Sequence, residues 1–363
     1  MMVKQTKNEA KRFFRYIGML FTPTQALGCY VLLRIKQHGI EKVREELLDE
    51  QFHYKSCGSF RPGKIFNDAK SFCDKFVVIT IILYSLVVAS AHISAYVTLN
   101  LAFEGEYFPA NITCYDFMPN YFVIPFPTPT KSSCKNALTY MDVSLNVYAT
   151  LLASYDTTFC SVLICFKTKL QILSGAMRSM RERVTTEMNL PLNSSLELDD
   201  PEVEAKLYEE IKQCARHLES LLSVCKQIED IFKYGTLMQI VNALVIISSC
   251  MFVLSITPQS DPDFFVMIHY IIALFVQLFT VCYFGNEITE VADELNNSLY
   301  QSNWLSCSKR HKQCMIIMMS RMQKKIHVMI GKFSPLTMNM FVAVVKGALS
   351  YCAVFRAVDN AEI

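Results

Sequence analysis

Six stretches of the chain are apolar enough, over enough length, to predict helices that cross a bilayer. Residues 76–99, 234–260 and 264–286 contain no Asp, Glu, Lys or Arg. Each exceeds the roughly 18 to 20 residues needed to cross about 30 Å of hydrocarbon. Three others are interrupted: 16–33 is charge-free but holds Pro23, 141–166 holds Asp142 and Asp156, and 333–355 holds Lys346. The pattern predicts an all-α, polytopic membrane helical bundle with six spans.

Charge between the spans orients them. The stretches 34–75, 167–233 and 287–332 hold most of the Lys and Arg, whereas 99–140 holds only Lys131 and Lys135 and 261–263 holds none. By the positive-inside rule the basic stretches are cytoplasmic and the other two face outward. Loop 99–140 also carries the glycosylation sequon at Asn111 and a candidate disulfide pair, Cys114 and Cys134, both features of a non-cytoplasmic compartment. Sequons at Asn193 and Asn296 fall inside and are expected to stay unmodified. Six spans with the C-terminus outside place the N-terminus outside as well. That conflicts with Lys4, Lys7, Lys11, Arg12 and Arg15, which crowd against the first span with no signal peptide to carry them across. Either the first span is misread or one more helix belongs upstream of Met1.

Between spans the periodicity is helical too. Ile211, Cys214, Leu218, Leu221, Cys225, Ile228 and Phe232 alternate in steps of three and four, a seam that packs against other helices in water. Whether those helices belong to the same chain or to other subunits stays open at this point. A second cytoplasmic helix is predicted over 311–331, and the span ending at Asn286 runs on as polar, amphipathic sequence toward Trp304. Residues 189–203, with Pro191 and a run of Ser and acidic residues, read as a loop. The resulting plan is a basic segment 1–15, a bundle 16–166, a cytoplasmic helical region 167–233, two spans within 234–286, cytoplasmic helices 287–332, a last span 333–358 and an outer tail 359–363.

The C-terminal motifs narrow the class. Tyr283-Phe284-Gly285-Asn286 closes a span, Tyr300-Gln301-Ser302-Asn303-Trp304 follows, then a basic and hydrophobic stretch Arg310 to Lys325, and Ser350-Tyr351 in the last span. With His217, Gln239 and Asp156 upstream, this order resembles the insect odorant receptors over residues 13–358. The resemblance implies seven helices, a cytoplasmic N-terminus and an extracellular C-terminus. It also implies a tetrameric ligand-gated cation channel in which an odorant-tuning subunit joins an obligatory co-receptor in the plasma membrane of olfactory sensory neuron dendrites. Span 16–33 then matches the family's second helix, and the first is missing. The chain does not resemble the co-receptor, which has a longer second cytoplasmic loop. It departs from gustatory receptors at Ala357-Val358, where they carry Gln-Phe.

The same resemblance implies site residues. An apolar pocket for a volatile odorant is expected in the outer halves of the helices, among Tyr16, Met19, Val88, His92, Tyr96, Leu145, Tyr148, Met267 and Tyr270, with His92 the polar member able to bond an ester or alcohol oxygen. Val354 and Val358 match a hydrophobic gate in a pore lined by the last span, where Lys346 and Arg356 are charged outliers that snorkel or tune conductance. Tyr300, Trp304, Leu218 and Phe232 are expected to anchor subunits below the membrane. Asp156 is read as structural, bonded to hydroxyls or backbone. Partners beyond the co-receptor and odorant are membrane lipids and permeating cations, with no nucleic acid and no cofactor.

Other classes lack support in the residues. The cysteines form no C-x-x-C pair, which argues against a metal or redox centre. No His, carboxylate and Cys constellation points to catalysis. Basic loops on the wrong side argue against a G-protein-coupled receptor, and the halves lack the pseudo-symmetry of a transporter.

Overall fold

The computed structural model describes residues 2–49, 53–102, 105–109, 112–118, 123–190, 201–259, 262–331 and 333–361, excepting the side chains of 2–12, 14–16, 19, 102, 262–263 and 358–361. Its helices are α1 (Met2–Leu48), α2 (Pro62–Ala102), α3 (Lys131–Arg178), α4 (Met180–Glu187), α5 (Pro201–Ile256), α6 (Pro262–Tyr300), α7 (Lys309–Met322) and α8 (Met338–Ala361). Strands β1 (Met329–Ile330) and β2 (Ser334–Pro335) pair antiparallel between α7 and α8. Starts are readable locally: α2, α5 and α6 open on Pro, which lacks the N–H that the first turn would leave unpaired. Thr130 caps α3 by accepting a hydrogen bond from the Ser133 amide at 3.1 Å.

Among the described residues five helices, α2, α3, α5, α6 and α8, are long and apolar enough to cross a membrane. Helix α1 contains the expected span 16–33, with Pro23 inside a 47-residue helix, and the side chains of Tyr16 and Met19 in that span lie outside the described residues. It lies in the bundle, antiparallel to α5. Gly28 abuts Met238, Gly39 abuts Ile231, and Gln227 donates to Glu46 at 2.9 Å.

Helices outrun the membrane. The 56 residues of α5 rise about 84 Å at 1.5 Å each, and the 39 of α6 about 58 Å, against about 30 Å of hydrocarbon. The excess builds a helical stalk with its own core. Ile211, Cys214, Leu221 and Ile228 of α5 are buried with Leu170, Leu173 and Met177 of α3 and Met315, Met318 and Met322 of α7. Leu218 and Phe232, expected to anchor subunits, are covered inside this chain instead, at 3% and 2% exposure, Phe232 lying 4.6 Å from the Phe159 ring. The seam is therefore satisfied by the chain's own helices. What the stalk leaves outward is Tyr300, Leu305, Ile316, Ile317 and Phe333, while Trp304 is partly buried against the core beside Tyr300, ring centroids 6.1 Å apart.

The stalk also buries polar groups as a set. The Arg183 guanidinium pairs with Glu210 at 2.7 Å and lies 4.9 Å over the Tyr54 ring, whose hydroxyl meets His217 Nδ1 at 3.2 Å. Burial, with a smaller contribution from the Lys169 charge, pushes the His217 pKa down to about 3.

Helix α7 ends nine residues before the expected 331. Beyond it Ile326, Val328 and Ile330 are buried while His327 and Met329 between them are not, a period of two that suits extended chain and not helix. Gly331, at φ +52°, turns the chain back to β2. The β2–α8 junction then crosses α6 at Gly285, where any side chain would run into the Leu336 carbonyl. The predicted loop 189–203 lies mostly outside the described residues, and α5 begins within it at Pro201.

Cys114 and Cys134 are joined in a disulfide, Cα atoms 5.5 Å apart. Both are buried with Ala95, Leu99, Leu138 and Met141 in a satellite core against which Phe108, Phe117, Ile124 and Phe126 pack. Asn111 lies outside the described residues.

Candidate functional site

A cavity of about 170 Å³ opens where α1, α2, α3, α5 and α6 converge. Helical spacing explains its walls. Positions 84, 87, 88 and 91 of α2, 145, 148, 149 and 152 of α3, and 246, 249, 250 and 253 of α5 each form one helix face turned inward. From α6 come 266, 267, 270, 273, 274 and 277, and from α1 Gly18, Thr22, Pro23 and Gln25. The walls are chiefly Val, Leu, Ile, Ala, Met and Tyr.

Of the expected pocket residues, Val88, Leu145, Tyr148, Met267 and Tyr270 line this cavity. The side chains of Tyr16 and Met19 lie outside the described set, although Gly18 and Thr22 of the same helix are lining residues. His92 and Tyr96 do not line it. One turn past Ala91, α2 closes onto α3 through Ala95 and Leu99, which ends the cavity. His92 there has its Nδ1 3.8 Å from Asp142 Oδ1 and its ring against Tyr96, and Tyr96 is 40% exposed with Lys135 Nζ 5.1 Å from its ring centre.

Polar side chains shape the cavity, among them Thr22, Tyr84 and Gln277, which the sequence did not flag. The Thr22 and Tyr270 hydroxyls are 2.8 Å apart, tying α1 to α6. Deeper, Asp156 of α3 accepts from Gln239 Nε2 at 2.7 Å, from Gln277 Nε2 at 2.8 Å and from the Tyr84 hydroxyl. One carboxyl group thus joins α2, α3, α5 and α6, and two of its donors, Tyr84 and Gln277, are also cavity lining. Donors of this kind are what a carboxyl group needs in apolar surroundings. The expected hydroxyl partner is present, and side-chain amides stand in for the expected backbone. The signal that was available is that Tyr84, Gln239 and Gln277 are polar residues inside apolar runs. A further α3–α6 link, the Lys167–Glu287 ion pair, lies nearer the stalk.

Helix α8 packs Val344, Ala348 and Cys352 against the bundle, with Phe341 edge-on to Phe279 and Phe355 edge-on to Phe252. At 100° per residue the opposite face carries Lys346, Ser350 and Val354, all exposed, with Arg356 exposed on its flank. The side chain of Val358 lies outside the described residues. Among the described residues no group of three His, Cys, Asp or Glu side chains is arranged to hold a metal.

Comparison with known proteins places this architecture. The family model described as 7tm Odorant receptor matches residues 12–349. Odorant receptor Or1 of Anopheles gambiae is 24% identical over 232 residues, 61% of this chain and 55% of that protein. Odorant receptor 94a of Drosophila melanogaster is 27% identical over 146 residues, 40% of this chain and 37% of that protein. The matches therefore span about half or less of the length of these curated relatives. The solved structure of the insect olfactory receptor OR5 from Machilis hrabei in complex with eugenol superposes with a TM-score of 0.70, covering 96% of this chain and 82% of that one at 14% identity, a likeness of fold. With its helical bundle, its stalk and a family match over nearly its whole length, the chain belongs to the 7tm odorant receptor family.

Proposed function

We propose that the chain is the odorant-sensing subunit of a heteromeric, ligand-gated, non-selective cation channel, assembled with the insect odorant receptor co-receptor in the plasma membrane of olfactory neurons. The observation that carries the reading is the cavity: about 170 Å³, walled by apolar side chains from five helices. An apolar cavity of roughly 150 Å³ accepts benzene, so this one, at about 170 Å³, suits a volatile somewhat larger than benzene. At about 25 cal/mol per Å², burying roughly 250 Å² of such a molecule yields about 6 kcal/mol, which supports binding without any charge on the ligand. The similar olfactory receptor from Machilis hrabei was solved with a small volatile, eugenol.

In this reading α8 lines the pore. Its face bearing Lys346, Ser350 and Val354 is left uncovered by the chain's own helices, and a ring of Val354 and Val358 from four subunits would block ions by dewetting. The outward stalk residues Tyr300, Ile316 and Ile317 would meet neighbouring subunits below the membrane. The test is current in cells expressing this chain with and without the co-receptor, challenged with volatiles. Odorant-evoked cation current only in the co-expressing cells is expected; evoked current in cells lacking the co-receptor, or none in co-expressing cells with the chain at the surface, contradicts the reading.

A further inference from the structure

The cavity is not uniformly apolar. Its side-chain amides are gathered at one end. Tyr84 and Gln277 are there because both bond Asp156. Gln25 is at the same depth, since Gly28, three residues further along α1, abuts Met238, the neighbour of Gln239, which bonds Asp156 as well. The lining residues of α6 run from Val266 to Gln277, eleven residues and about 16 Å of rise, so the apolar end lies a ligand's length away.

What these side chains leave unused decides the ligand. Gln25 is 5% exposed, lines the cavity and makes no side-chain hydrogen bond among the described residues. Gln277 gives one N–H to Asp156, which leaves its Oε1 and second N–H open; Tyr84 gives its hydroxyl proton to the same carboxyl and keeps an acceptor lone pair. Of the other lining hydroxyls, those of Thr22, Tyr270 and Ser249 are engaged, with one another or with the Val245 carbonyl, and Tyr148 stands two turns from Asp156 along α3. Amides of this kind present donors and acceptors together. A hydroxyl satisfies both, a carbonyl or ether oxygen only the donors, a hydrocarbon neither.

We propose that the cavity selects small alcohols and phenols, with the hydroxyl held between Gln25 and Gln277 and the hydrocarbon part directed toward Val88, Leu145 and Met267. This rests on the reading of the cavity as the odorant site. The probes are two sets of near-equal size: 4-ethylphenol, 4-methylanisole and 4-ethyltoluene, and 1-heptanol, 1-methoxyhexane and octane. They are applied to cells co-expressing the chain and the co-receptor, with surface level measured. The hydroxyl member of at least one set is expected to act at about tenfold lower concentration than its ether and hydrocarbon analogues, the worth of one well-made hydrogen bond. Gln25→Leu and Gln277→Leu are each expected to shrink that gap while leaving the hydrocarbon response in place. Tyr148→Phe, at a position two turns away from Asp156 along α3, is expected to keep it. Gln25→Leu breaks no hydrogen bond, so it reports even where Gln277→Leu lowers the surface level. Ether or hydrocarbon members acting as well as the hydroxyl, or a gap that survives both Gln substitutions or vanishes in Tyr148→Phe, overturns the ligand class alone. Silence toward all six with both subunits at the surface overturns the cavity reading and this proposal together.

Discussion

Asp156→Leu removes the one acceptor shared by four helices, and its cost can be worked from the contacts. Three donors lose their partner: Gln239 Nε2, Gln277 Nε2 and the Tyr84 hydroxyl. An unsatisfied buried donor costs about 1 to 3 kcal/mol. Tyr84 and Gln277 line the cavity, where water can reach them, so their share is at the low end; Gln239 is 4% exposed and takes the full penalty. The sum is about 3 to 5 kcal/mol. Asp156→Asn keeps one acceptor oxygen and is expected to cost only about 1 kcal/mol. The assay is the thermal midpoint of the detergent-purified protein, with surface level in cells as a second readout. If unpaired donors are the cause, adding Gln239→Leu and Tyr84→Phe to Asp156→Leu restores part of the loss, because matched apolar replacement of both partners is nearly neutral. Asp156→Leu melting with the wild type, or a triple variant less stable than the single one, would refute the reasoning.

Three further outcomes are expected. His217 is held neutral with its pKa near 3, below the roughly 6.5 of the unfolded chain, so between those values the unfolded state binds a proton that the folded state does not. Stability then rises with pH through that window and falls on acidification by up to about 1.4 kcal/mol per unit; denaturation midpoints at pH 7 and pH 5 show this, and His217→Gln flattens it. Gly285→Ala forces a methyl group onto the Leu336 carbonyl and is expected to cost about 1 to 3 kcal/mol, read as a lowered melting midpoint, whereas an unchanged midpoint would mean that the α6–α8 crossing relaxes freely. Lys346→Gln removes the positive charge from the uncovered α8 face and is expected to raise single-channel cation conductance; identical conductance would place that side chain away from the ion path.

How much of this was legible beforehand differs by feature. The spans in α2, α3, α5, α6 and α8 were, because membrane hydropathy is a one-dimensional property that tertiary structure cannot override. The heptad seam from Ile211 to Phe232 declared that helices would cover it without saying whose, and the covering helices turned out to be the chain's own. The run at 326–330 was misread because Met-rich and Ile-rich sequence supports both periods, and only the alternation in burial separates them. In the cavity, Val88, Leu145, Tyr148, Met267 and Tyr270 were reached through position in the family pattern, whereas His92, reached the same way, follows the lining residue Ala91 and faces Asp142 and Tyr96 instead. Gln25, Tyr84 and Gln277 were passed over because what distinguishes them is where hydrogen bonds are made or left open across helices distant in sequence, and a single chain read in order does not contain that.

The central claim is that volatiles act through the cavity between α1, α2, α3, α5 and α6, and filling that cavity tests it most directly. Ala273 lines it from α6, and Ala273→Phe would occupy a large part of its roughly 170 Å³. The measurement is the concentration dependence of odorant-evoked current in cells co-expressing the co-receptor, wild type against Ala273→Phe at matched surface level. The account predicts that evoked current is lost, or needs at least about tenfold more odorant, while basal channel current persists. An unchanged concentration dependence would place the odorant site elsewhere.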